Sequence, residues 1–146
     1  MKTPLESLLS LKRWEEDEAK NIFAEARKDL DEQEKRLARL EENFRVLRER
    51  MQYTDKGAVT IDEIQKLNRH MEHLFGLLQN QKLSVTASKN RLDEAMQILT
   101  KAAKERKTYE KVDERQKESE RGERKKKERR GIDEHAVMRH RKNYGE

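Results

Sequence analysis

The chain contains no cysteine, which excludes a disulfide framework and any thiolate metal site and leaves nothing at odds with a reducing compartment. It has one proline and five glycines in 146 residues, a composition that favours long helices over many short elements. No apolar run approaches the ~20 residues needed to cross a bilayer. The opening TPLESLLSLKRW lacks the continuous apolar stretch of a secretory signal. Neither export by that route nor a membrane span is expected, and the cytoplasm is the expected location. Hydrophobic residues make up 32% against 45% charged, so the chain has one domain's length but apolar surface for only a narrow buried seam. Disorder is the competing reading of so charged a sequence.

Charge is uneven. Residues 101–146 hold 17 Lys/Arg against 11 Asp/Glu, a net of +6, whereas residues 1–100 hold 18 against 19, a net of −1. Basicity therefore belongs to the C-terminal third.

What is present is a heptad. From Phe23, steps of three and four reach Ala26, Leu30, Gln33, Leu37, Leu40, Phe44, Leu47 and Met51, the seam of a left-handed supercoil. Ala19, Leu9 and Leu5 keep the frame upstream, but Glu16 and Lys12 interrupt it, and that end is expected to be looser. A second series runs Ile64, Leu67, Met71, Leu74, Leu78, Gln81, Val85, Ser88, Leu92, Ala95, Leu99, Ala102, Arg106, Tyr109. Both series carry start signals: Thr3-Pro4-Leu5-Glu6 and Thr60-Ile61-Asp62-Glu63 each read as a capping box.

Between them lies TDKGAVTIDEIQKL, which is either a linker or the bend of a hairpin. Gly57 suits the left-handed residue that ends a helix. Folding the chain there, with a against a and d against d, pairs Leu47 with Leu67, Phe44 with Met71, Leu40 with Leu74 and Leu37 with Leu78. Continuing, Gln33 meets Gln81, Ala26 meets Ser88 and Ala19 meets Ala95. Polar faces polar and small faces small, which a random register would not give. The expected fold is all-α: an antiparallel two-helix coiled-coil hairpin over residues 4–121, turning near 54–60. The second helix is expected to run to about Arg121. Past the pairing of Leu5 with Tyr109 it overhangs without a partner and partly frays, because single helices are marginal in water. Residues 122–146 form a basic tail in which Gly131 breaks the helix and Asp133 and Glu134 open a short docking-like segment.

Chemistry is nearly absent. No nucleophile constellation, phosphate loop or enclosed pocket can be assembled, so an enzyme is not expected, nor a cofactor. His70 and His73 supply half a metal site with no further ligand, short of the four a structural zinc needs, and no metal is expected. In HMEHLFGLL, Phe75 and Leu77 flank the seam and Gly76 removes a side chain beside Phe75. Flanking apolar residues can simply widen a seam. With Val46 on the facing helix they can also form an apolar patch for a partner. The run ERKKKERRG could bind phosphate backbone, but Glu118, Glu120, Glu123 and Glu128 dilute it; a solvated helix face is the plainer reading, and no specific nucleic acid is expected.

With its early LLSLKRWEEDEAK helix, hairpin, long second helix and terminal IDEHAVMRHR, the chain resembles the FliJ family of flagellar type III export stalk proteins and their YscO-type counterparts in virulence secretion. The resemblance implies a noncatalytic coiled coil similar to the central stalk of rotary ATPases. Its partners would be the hexameric export ATPase, the cytoplasmic part of the export-gate membrane protein and free export chaperones, and only these would bring it to the membrane. Gate-side candidates are Val46, His70, Met71, His73, Phe75 and Leu77. ATPase-side candidates are Leu8, Leu11, Lys125, Lys126, Lys127, Asp133, Glu134 and Arg139. The alternative is an export chaperone that holds an amphipathic helix of a secreted substrate.

Overall fold

Thr3 opens the first helix. Its Oγ1 accepts from the Glu6 backbone N–H at 3.2 Å and the Glu6 carboxylate accepts from the Thr3 N–H at 3.2 Å, so two backbone donors are satisfied reciprocally. Helix α1 then runs Pro4–Thr54. Thr60 repeats the first half of the motif, its Oγ1 accepting from the Glu63 N–H at 3.3 Å, and helix α2 runs Ile61–Tyr144. In this computed structural model residues 3–54, 57 and 59–144 are described. The two long helices pack against each other as a helical hairpin, and no strand occurs among the described residues. Residues 55, 56 and 58 of the connecting stretch lie outside the described residues. Gly57 forms a bend, and no described residue has a positive φ, so the left-handed termination expected at Gly57 is not observed.

The chain divides into two compact units, Asp17–Lys101 and Met1–Glu16 with Ala102–Glu146. In the first, burial follows the heptad closely. Ala19, Leu47, Leu74, Leu78, Val85 and Ala95 are buried, and every core position between Phe23 and Met51 is at least half-buried. The proposed register is reported by its polar layer: the Gln81 side-chain amide donates to the Gln33 carbonyl oxygen at 2.9 Å and to Gln33 Oε1 at 2.8 Å. Two turns along α2, Ser88, with no exposed surface, donates to Asp29 Oδ2 at 2.8 Å, and Arg91 donates to the same oxygen at 3.0 Å and to Ser88 Oγ at 2.9 Å. A polar chain thus runs across the seam between leucine layers. Buried polar groups of this kind fix register because a slip leaves them unpaired.

In the other unit the interrupting residues do not loosen the pairing as the sequence suggested. Leu9 and Ala102 are buried, and so is Glu16. Arg106 Nε meets Glu16 Oε2 at 2.7 Å and Arg106 Nη1 meets Glu110 at 2.9 Å. Lys12 Nζ meets Glu105 at 3.1 Å and Glu15 at 3.3 Å, and lies 5.7 Å from the Tyr109 ring centroid. Ion pairs and a cation–π contact replace the missing apolar layers, with the long aliphatic stems covering the seam.

Asp113 is the last half-buried residue; every described side chain from 114 to 143 is exposed. The overhang is therefore present, but α2 does not end near Arg121. It continues to Tyr144 with Gly122 and Gly131 inside it. The expected break at Gly131 does not occur, because one helix-interior glycine costs only ~1 kcal/mol relative to alanine and good helix formers flank it. Asp133 and Glu134 accordingly lie mid-helix instead of opening a separate segment.

Candidate partner surfaces

Position around the helix decides which predicted residues meet. In the unit Asp17–Lys101, Val46 of α1 and His70 of α2 line one shallow hollow of about 270 Å³ with Asn43, Leu47, Arg50 and Leu74. Phe75 is not among them. Its ring packs on Phe44, centroids 6.4 Å apart and planes tilted by 47°, and about half of it stays exposed. Phe75 and Leu77 are two residues apart, hence about 200° around a helix of 3.6 residues per turn, on opposite flanks of the seam. The single apolar patch expected from Val46, Phe75 and Leu77 is thus two edges. Met71 is half-buried in the seam and His73 is exposed. A Cβ added at Gly76 would meet nothing within 4 Å, so the notch there is open to an incoming surface.

In the other unit Leu8 is half-buried and Leu11 exposed. Lys125, Lys126 and Lys127 are exposed and, being consecutive, point about 100° apart, so they form a basic collar and not a stripe. Arg139 joins Glu128, Gly131, Ile132, His135 and Ala136 around an open groove of about 540 Å³. Asp133 and Glu134 lie outside that groove.

Electrostatics mark the seam more than any site. Hydrogen bonds from Ser88, then Arg91 and Gln33, hold the Asp29 carboxyl below its ordinary range. The Glu105 hydrogen bond, followed by that of Glu15, raises Lys12, and the Glu16 bond raises Arg106. Each shift follows from a partner that favours the charged form. No group of three or more His, Asp or Glu side chains that could hold a metal occurs among the described residues, and none of their helices is long and apolar enough to cross a membrane.

Sequence reading overlooked a third surface. Ile22 and Ile98, about half exposed, line a hollow of about 370 Å³ with Glu25, Ala26, Asp29, Arg91, Glu94 and Ala95. The available signal was an isoleucine at the same flanking heptad position in both helices, brought together once the antiparallel register is applied. Asp29, which ties Ser88 and Arg91 to α1, occupies that flank too and was missed for the same reason.

No curated protein and no solved structure matches the chain. A family model described as "Flagellar FliJ protein" matches residues 1–145. That match spans the hairpin, the paired seam and the bare helical extension alike, and the chain belongs to the FliJ family of flagellar export proteins.

Proposed function

We propose that the chain is a noncatalytic stalk or adaptor of the flagellar export apparatus, linking the hexameric export ATPase to the cytoplasmic part of the export gate and to export chaperones. The observation that carries this reading is the stretch 114–143, helical throughout and with every side chain exposed. Most helical stability in proteins comes from packing a face against a neighbour, and this stretch packs on nothing, so a partner that clasps it supplies the missing contacts. The ATPase side then uses the collar of Lys125, Lys126 and Lys127 with Arg139. The gate side uses the Val46–His70 hollow and the Phe75 edge in the other unit. The protein reaches the membrane through these partners and is otherwise cytoplasmic.

Charge reversal of Lys125, Lys126 and Lys127 to Glu is expected to lose ATPase co-purification from native extract while circular dichroism keeps its helical signal. Phe75→Ala and Leu77→Ala, made separately because they lie on opposite flanks, are expected to weaken gate binding unequally. Unchanged co-purification of the ATPase in low salt would remove the extension from this role. Recovery of one secreted substrate without ATPase would favour a chaperone instead.

A further inference from the structure

A hollow that the adaptor role leaves unused and the extension that it gives to the ATPase complement each other. The first is the Ile22–Ile98 hollow. Its floor is aliphatic, from Ile22, Ala26, Ala95 and Ile98. Of the charged groups around it, Asp29 is taken up by Arg91 at 3.0 Å. Glu25 and Glu94 are in no ion pair among the described residues. The hollow is therefore apolar within and acidic at the rim, and both isoleucines lie half open to solvent.

The second surface is the bare stretch of α2. Residues 114–143 hold 12 Lys/Arg against 7 Asp/Glu, a net of +5. Ile132 is 68% exposed and shares a groove with Ala136, Gly131 and Arg139. By helical position Arg121, Lys125 and Arg129 lie on that same face. Glu128 lines the same groove, so the aliphatic pair is set among four cations and one carboxylate, a net positive counterpart to the acidic hollow, on the part of the chain that buries nothing.

We propose that the bare stretch of α2 in one molecule docks on the Ile22–Ile98 hollow of a second copy, with Ile132 and Ala136 against the isoleucines and Lys125 and Arg129 against Glu25 and Glu94. Charge complementarity chooses this occupant: a basic helix with an exposed aliphatic face answers an acidic rim around an aliphatic floor. The contact joins two different surfaces, so it is heterologous and each molecule keeps one free half after pairing. Long-range attraction between exposed charges makes it weaken with salt. It also occupies the extension that the adaptor role gives to the ATPase, so a self-associated copy is a reserve form.

Sedimentation velocity on the full chain tests this without any other protein, so its failure leaves the adaptor role standing. At about 50 mM salt the weight-average sedimentation coefficient is expected to rise with protein concentration, and at about 500 mM to stay flat. Ile98→Asp in the hollow, and separately Lys125→Glu with Arg129→Glu in the extension, are each expected to raise the dissociation constant about tenfold or more with helicity unchanged. Mixing the two variants restores a 1:1 pair, since each supplies the half that the other lacks. A chain that stays monomeric at every concentration overturns the proposal, as does either variant associating normally by itself or a mixture that fails to pair.

Discussion

Truncating the glutamine layer tests the register with numbers. Gln81→Ala removes two hydrogen bonds, to the Gln33 carbonyl and to Gln33 Oε1, and empties a side chain that is only 7% exposed. At about 1 kcal/mol net per neutral hydrogen bond, plus roughly 1 kcal/mol for the buried methylenes, it should cost about 2–3 kcal/mol. Gln33→Ala removes only the side-chain half of that pairing, since its backbone carbonyl remains to accept from Gln81. Its other contact, to Asp29 at 3.5 Å, is too long to add much, so the cost is about 1–2 kcal/mol. The double variant loses the shared bond once, not twice, and falls short of the sum by about 1 kcal/mol. The same layer opposes sliding: a one-heptad slip would set Gln81 against Leu40 and Gln33 against Ser88. An amide left facing leucine costs about 1–3 kcal/mol. Urea unfolding followed by circular dichroism gives all three differences. Additivity within about 0.3 kcal/mol, or Gln33→Ala costing more than Gln81→Ala, would refute the reasoning.

Asp29 titrates below its ordinary value in the folded chain because Ser88, Arg91 and Gln33 bind its charged form. A depressed carboxylate contributes stability that is complete above the unfolded value and lost as pH falls through the folded one. Wild type should therefore lose stability below about pH 4 more steeply than Asp29→Asn, as read by unfolding midpoints across pH 2–6. Gly122→Ala and Gly131→Ala meet no neighbour at the added Cβ and should each stabilise the extension by up to ~1 kcal/mol, seen as slower amide exchange in residues 114–143. Unchanged exchange would mean that those glycines do not limit its helicity.

The seam was legible because a seven-residue repeat is strong in a chain with so little other apolar surface. The register was legible because Gln33 and Gln81 fall at equal distance from the bend. Glu16 and Lys12 look like defects in a one-dimensional pairing because their stabilising partners, Arg106 and Glu105, stand off the direct layer. The local breaker signal of Gly131 carries only about 1 kcal/mol and loses to the helix formers on both sides. The Phe75 and Leu77 edges could be placed on opposite flanks by counting residues. The Ile22–Ile98 hollow needed both helices and the register at once.

The most direct test of the fold is a distance within one molecule. Glu34 and Lys82 are exposed beside the glutamine layer and accept spin labels without disturbing the seam. With doubly labelled chains diluted in unlabelled ones, the hairpin predicts a short separation, about 15–25 Å, from helix axes about 8–10 Å apart plus the label arms. A separation near 72 Å, the span of 48 residues along one continuous helix at about 1.5 Å each, would contradict it.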